Sequence, residues 1–287
     1  MKTHKTAPLG AVFGFFLPPI PAMGEFPLSS PKSDLGEIGE NLAKCYNKYM
    51  SNRKIPLVPG EYFHVYSRGN NKQKIFLNNK DRDRFVKLLY ICNSNRSANF
   101  RDDIVDKKID AWDFERGEPT VSIGAWALMP NHFHIYLTSP NSPKSDLGEK
   151  RANEDRNHIS EFMRKLLTAY VKYFNTKYGR TGALYEGKFK SRHINDDNQA
   201  KYLFSYIHLN PLKLINSKWK ENGIHNSHAT LKFLNNYKWS SYNDYRGIAR
   251  KENKILQIND FPRYFSNIKD FDSEIFSWLR YNDPDFP

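Results

Sequence analysis

Cysteine is almost missing from this chain: two in 287 residues, Cys45 and Cys92. That excludes a disulfide scaffold, and no Cys-x-x-Cys pair exists to hold zinc, so a reducing compartment fits. Long apolar runs are lacking too, and no stretch is long enough to cross a bilayer. The early run Leu9-Gly-Ala-Val-Phe-Gly-Phe-Phe-Leu17, after Lys2 and Lys5, imitates a secretory signal. Pro18, Pro19 and Pro21 follow it at once, and the expectation is a cytoplasmic protein with no membrane partner. Acidic residues are also short, 31 against 44 Lys and Arg, for a net charge of +13 and a pI near 9.5. Such an excess points to a polyanionic partner, nucleic acid first. What is present in quantity is apolar and aromatic side chain, 39% and 15% of residues, enough for a core and against wholesale disorder.

Three regions differ in character. Residues 1–49 are apolar and proline-rich, then polar without periodicity, and are expected to be a poorly ordered or dispensable extension. Met50 opens a segment that looks like the start of a compact domain, expected to run over 50–219, with 220–287 packing on it or trailing it. Ser30-Pro-Lys-Ser-Asp-Leu-Gly-Glu37 recurs identically as Ser142-Pro-Lys-Ser-Asp-Leu-Gly-Glu149. One pair of eight residues is too short for a solenoid. Both copies are expected in loops, either as a translated DNA repeat or as a duplicated binding peptide.

From Glu61 onward the pattern is orderly. Tyr62-Phe-His-Val-Tyr-Ser67 alternates as a strand does, and Arg68-Gly-Asn-Asn-Lys72 is a turn. Capping residues precede helical spacing over Asn79 to Tyr90. A strand is expected near Ile109-Asp-Ala-Trp112. Val121 to Leu128 is apolar and β-prone, and Met129-Pro130-Asn131 turns it into the next strand. Ile159 to Tyr178 places Ile159, Phe162, Met163, Leu166, Leu167, Tyr170 and Phe174 on one side of a long helix, closed by Gly179. Strands of an antiparallel sheet with helices on one face make an α+β domain.

The strand after the turn begins His132-Phe133-His134. Side chains i and i+2 of a strand share a face, so the two imidazoles project together with Phe133 behind them. Neutral imidazoles so paired suit a divalent metal, although a pair of structural histidines has the same spacing. Downstream, residues 161–193 interleave Arg164, Lys165, Lys172, Lys177, Arg180, Lys188, Lys190 and Arg192 with tyrosines and phenylalanines. Cations for phosphates beside rings for bases describe single-stranded nucleic-acid binding, with each stacked base contributing about 1–3 kcal/mol. Tyr170 and Phe174 go to the core in this reading. Tyr185 and the cations Arg164, Lys172, Lys177, Arg180, Lys188, Lys190 and Arg192 go to the nucleic acid.

A further helix is capped by Asp196-Asp197-Asn198 and stopped by Pro211. Tyr202, Tyr206 and Asn210 are four residues apart and share one helical face. A phenol there could attack phosphorus while the Asn210 oxygen reaches the metal of the two histidines. The same spacing suits tyrosines facing a core, and the residues alone leave both open.

In this order the motifs Met129-Pro-Asn-His-Phe-His134, a basic helix, Tyr178-Gly-Arg-Thr-Gly182, Glu186-Gly-Lys-Phe-Lys-Ser191 and Tyr206-Ile-His-Leu-Asn-Pro211 resemble the REP-associated tyrosine transposases of the single-tyrosine HUH superfamily. The resemblance runs from about Pro59 to Leu214, and Trp239-Ser-Ser-Tyr-Asn-Asp-Tyr-Arg-Gly247 is similar to the end of such proteins. The long loop from Ser139 to Asn157 departs from their compact pattern.

The resemblance implies a ferredoxin-like domain in which His132, His134 and Asn210 hold Mg²⁺ or Mn²⁺ and Tyr206 is the nucleophile. It further implies cleavage and rejoining of single-stranded or hairpin DNA from palindromic repeats through a 5′-phosphotyrosine. The protein would then be a nucleoid-associated monomer or homodimer. His193 and His208 are candidate proton carriers, with a plain surface role as the alternative. The rival functions are a non-catalytic nucleic-acid-binding regulator on the same fold and a nuclease that uses water.

Overall fold

The computed structural model describes residues 56–140, 157–219 and 226–280. Both copies of the repeat and the start expected at Met50 lie outside the described residues. Four strands form one sheet: β1 (Tyr62–Arg68), β2 (Ser122–Met129), β3 (His132–Thr138) and β4 (Lys190–Ile194). Their order across the sheet is β2-β3-β1-β4, and each neighbouring pair is antiparallel. Two crossover helices, α1 (Asn79–Ile91) between β1 and β2 and α2 (His158–Tyr178) between β3 and β4, complete the βαββαβ chain of a ferredoxin-like α+β fold.

Local chemistry sets each boundary. Asn78 caps α1 in a capping box with Asp81. Asn157 caps α2, and Gly179, at φ 60°, ends it in the left-handed conformation glycine tolerates. Pro130-Asn131 makes the two-residue turn between β2 and β3. The expected strand near Ile109 is instead a 3₁₀ turn at Ala111–Asp113. There the Asp110 carboxylate accepts the Trp112 N–H, and a local turn replaces extension.

The alternation of the strands divides the core. Phe63, Val65, Ile123, Trp126, Leu128, Phe133, Ile135 and Leu137 meet α1 and α2 on one face. Phe85 and Tyr170 from the two helices pack edge-on, their centroids 5.0 Å apart. Each such buried side chain contributes about 1.5–3 kcal/mol of apolar transfer.

On the opposite face Ala125, Ala127 and Tyr136 meet a third helix, α3 (Asp197–Leu209), capped by Asp196. The helical path runs on as a 3₁₀ turn over Asn210–Leu214, with Pro211 early in it, where its missing N–H costs nothing.

The C-terminal residues close the sheet at β2. The Leu128 N–H donates to Trp239 O, and the Ser241 N–H donates to Trp126 O, so this edge offers no open ladder. Beyond the helices α4 (Ser227–Asn236) and α5 (Tyr242–Tyr245) the chain crosses Gly124, where an added Cβ would stand 2.9 Å from the Phe261 ring. Glycine is required there because another ring sits against the backbone. The last helix, α6 (Ile268–Arg280), puts Phe271 and Ile275 against Leu209, Leu212 and Tyr242.

Candidate active site

The face of the sheet under α3 carries the histidine pair. Register aligns Arg68 with His132, Tyr66 with His134 and His64 with Tyr136 on β1 and β3. It also aligns Lys190 with Tyr66 and Arg192 with His64 on β4 and β1. Strand alternation therefore gathers His132, His134, His64, Tyr66, Arg68, Lys190 and Arg192 on one face. Phe133 points the other way, into the core under α1.

Helix α3 lies close to this face because β2 presents only Ala125 and Ala127 beneath it. Tyr206 and Asn210, one turn apart, are thereby brought onto the histidines. The Asn210 Nδ2 is 3.3 Å from His134 Nε2. The rings of His134 and Tyr206 meet edge to face at 5.3 Å, and His132 and His134 at 5.0 Å. Tyr202, a turn earlier, stacks parallel to Tyr206 at 6.3 Å. The sequence brought these four residues together only in one dimension. The fold brings them together in space.

Burial governs the electrostatics. His134 and Asn210 are inaccessible, Tyr206 is 8% exposed, and His132 is half-buried at the mouth. Desolvation and the nearby Lys213 push the His132 imidazole down to about 4, against an opposing pull from the Asn210 side chain. The ring is therefore neutral at physiological pH, as a metal ligand must be. Desolvation pushes the Tyr206 phenol up to about 12, and the Asn210 side chain opposes that shift. Lys213 Nζ stands 5.8 Å from the Tyr206 ring centroid, placing a cation beside the phenol.

Among the described residues no group of three His, Cys, Asp or Glu side chains is arranged to hold a metal. A divalent ion at this face would need the Asn210 amide as a third donor. The donor set fits: the Asn210 Oδ1 is buried without a hydrogen-bond partner. An orphaned buried carbonyl oxygen beside two imidazoles is costly unless something accepts its lone pairs.

The expected nucleic-acid residues divide. Lys190 and Arg192 share the histidine face, and Lys188 is exposed just before them. Arg164 and Lys172 are exposed on α2, which covers the other side of the sheet, and Arg164 pairs with Glu161 at 3.0 Å. Lys177 is engaged 2.5 Å from the buried Asp81 carboxylate. Arg180 lies over the Phe174 ring at 5.5 Å.

Tyr185 is corrected: its ring is 5% exposed in the core, edge-on to Phe133 at 6.2 Å, and is closed to any base. Its neighbour Gly187 does turn the chain, but residues 184–186 bond to the end of β1 through Glu186 N to Arg68 O. That pairing draws Tyr185 inward. The proton-carrier candidates also stand elsewhere. His208 is fully buried on the far side of α3, 2.7 Å from Ser241 Oγ, with its pKa pushed down to about 3 by desolvation. His193 faces away from the site beside Phe63 and meets Glu61 at 2.7 Å.

Three residues at the site went unmarked in the sequence: His64, Tyr66 and Lys213. The strand alternation of Tyr62 to Ser67 put His64 and Tyr66 on one face. Nothing local could say that β1 pairs with β3. Lys213 follows Tyr206 by seven residues, two helical turns, a spacing that could have flagged it.

No protein-family model matches the sequence, and no curated protein matches it. Among solved structures, a REP-associated tyrosine transposase bound to a REP hairpin is similar over 71% of this chain and 90% of that chain, at 16% identity and a TM-score of 0.40. A bacterial tRNA(His) guanylyltransferase-like protein in complex with GTP is similar over 65% and 83%, at 11% identity and a TM-score of 0.31.

Proposed function

We propose that this chain is a single-tyrosine DNA transposase or endonuclease of the HUH type, cleaving and rejoining single-stranded or hairpin DNA. The observation that carries the reading is the meeting of α3 with β3: Tyr206 and Asn210 lie against His134 and His132, the Asn210 amide within 3.3 Å of His134 Nε2. A phenol, two imidazoles and an orphaned amide oxygen in one half-closed site are more than a core needs. Each is costly to bury there, and together they suit phosphoryl transfer.

In this reading His132, His134 and Asn210 hold Mg²⁺ or Mn²⁺. The ion would polarise the scissile phosphate and offset the charge that builds on it. Lys190 and Arg192 neutralise backbone phosphates approaching along the β4 edge, and Lys213 extends the positive surface at the mouth, while Arg68 beside it is paired with Glu186 at 3.3 Å. Tyr206 Oη attacks phosphorus in line. The Oη–P bond forms as the P–O3′ bond breaks, the phenol proton is released, and the departing oxygen is protonated to a free 3′-OH. The 5′-phosphotyrosine conserves the phosphodiester energy, so attack by another 3′-OH rejoins DNA without ATP. Tyr206 in α3 and Asn210 just past its end lie one turn apart on a continuous helical path, which fixes the spacing of nucleophile and metal ligand. Such work belongs in the cytoplasm, at the nucleoid.

The test is a 3′-labelled hairpin with a single-stranded flank, incubated with the protein and Mn²⁺. A covalent protein–DNA band is expected, absent with Tyr206→Phe and without metal. A band that persists in Tyr206→Phe removes Tyr206 as nucleophile. Tight hairpin binding with no band under any metal makes the protein a non-catalytic regulator on this fold, and cleavage without an adduct makes it a water-dependent nuclease.

A further inference from the structure

His64 is a histidine that the proposed chemistry does not use, yet it is buried at 8% exposure against the metal-facing pair. Its Nε2 lies 2.9 Å from His134 Nδ1. The ring is clamped: it stacks on Tyr66 and on His134, each at 5.0 Å, and meets the edge of Tyr206 at 6.2 Å. We propose that His64 is a positioning residue that sets the tautomer of His134, so that a bare Nε2 faces Asn210, Tyr206 and His132. The assignment deepens the metal-site reading and rests on it in one respect: the bare Nε2 is the lone pair a divalent ion would take.

The hydrogen bonds set the direction. Two ring nitrogens 2.9 Å apart, His64 Nε2 and His134 Nδ1, share one proton between them. On the other side of the His134 ring stands the Asn210 Nδ2, at 3.3 Å from Nε2. An amide nitrogen only donates, so His134 Nε2 carries no proton. The His134 proton is then on Nδ1 and is donated to His64 Nε2, which leaves the His64 proton on its own Nδ1.

Metal-ligating histidines are ordinarily oriented by a carboxylate or a backbone carbonyl accepting the second ring N–H. At His134 the His64 imidazole stands within hydrogen-bond distance of that second ring nitrogen, at 2.9 Å. β3 is an inner strand with β1 on one side and β2 on the other, so its carbonyls are committed to the ladder. An imidazole on the neighbouring strand, one residue pair deeper in the register, is placed to supply the acceptor. His64 sits on the Nδ1 side of His134, away from Asn210, which makes it a support for the donor set and not a member of it.

The full chain, ¹⁵N-labelled at histidine, metal-free and without DNA, gives the direct test through two-bond ¹H–¹⁵N correlation. The expected wild-type spectrum shows His134 protonated on Nδ1. His64→Phe keeps an aromatic ring but removes the acceptor. It is expected to move the His134 proton to Nε2 and to weaken Mn²⁺ binding, measured by calorimetry, about 10–100-fold, the usual scale for losing an orienting partner. His64→Gln restores an acceptor oxygen and should keep both the Nδ1–H form and Mn²⁺ affinity within about threefold, which a merely structural role would not do.

A wild-type His134 carrying its proton on Nε2 overturns the assignment whatever the variants do, as does unchanged Mn²⁺ affinity in a folded His64→Phe. A wild-type protein that shows the Nδ1–H form yet binds no Mn²⁺ overturns the metal reading of the site instead and leaves the tautomer assignment standing.

Discussion

Tyr206 carries a contradiction that only its surroundings resolve. Burial favours the neutral phenol and raises its pKa to about 12, yet attack on phosphorus needs the oxygen stripped of its proton. The Asn210 side chain works in the opposite direction, and Lys213 Nζ stands 5.8 Å from the ring centroid. Because the folded-state pKa lies above the working range, the phenolate fraction grows with every step of pH below it. The adduct-forming rate, measured in single turnover between pH 7 and 9, is expected to rise with pH by up to roughly tenfold per unit. A flat profile over that range counts against proton loss from Tyr206 in the slow step. The shared faces of the four residues proposed for the chemistry were legible in the sequence, because strand alternation and helical spacing are local rules, while their roles came from the family resemblance. His64 went unmarked, since its importance comes from a neighbour 70 positions away.

At the scale of elements, α1 and α2 are joined by one buried carboxylate. Asp81 caps α1 by accepting the Leu77 and Asn78 N–H groups, and it also accepts from Tyr173, Lys177 and Tyr178 of α2. Burial alone would push its pKa up, but these hydrogen bonds, Lys177 first, hold it below the usual carboxylate range. A depressed folded-state pKa means stability present above the unfolded value near 4 and lost as the pH falls through the folded one. Asp81→Ala strips the cap and strands several donors. It is expected to cost about 2–4 kcal/mol in urea unfolding at pH 7 and to leave a variant less sensitive to acid below pH 4. A loss under about 0.5 kcal/mol would mean water replaces the carboxylate without penalty. Lys177 was expected to contact DNA because a run of cations beside rings suits phosphates. The structure spends it on Asp81, a partner nearly a hundred residues upstream that no local pattern reveals.

Across the whole molecule, the chain carries a net charge of +13, and four of the cations expected at the nucleic acid lie on different sides of the sheet. Lys190 and Arg192 share the face of His132 and His134, whereas Arg164 and Lys172 stand on α2 beyond the other face. If DNA lies across the histidine face, the cations do not count equally. In Tyr206→Phe protein, binding of a fluorescent single strand should weaken with Lys190→Ala or Arg192→Ala, and its salt slope should shrink by about 1 for each. Arg164→Ala and Lys172→Ala should each change affinity by less than about twofold. Equal losses from both faces would put the DNA somewhere other than over Tyr206. The C-terminal residues belong at this scale as well: Trp239, Ser241 and Phe261 hold the β2 edge and its glycine, on the sheet that carries the site.

The sequence by itself determined what repeats at short range. It marked β1, β2 and β3, the helices α1 to α3, the His132 and His134 pair on one strand face, and Tyr206 with Asn210 on one helix face, because alternation and helical periodicity act between residues a few positions apart. It misplaced what depends on pairing at a distance. Tyr185 looked like an exposed stacking ring and lies in the core because residues 184–186 bond to the end of β1. Ile109 to Trp112 looked extended and is turned by one aspartate. Only the tertiary structure decided that β1 stands between β3 and β4, that alanines on β2 leave room for α3, and that Tyr206 therefore rests on His134. Those outcomes depend on which apolar faces are buried against each other, a property of the packed chain and of no single segment in it.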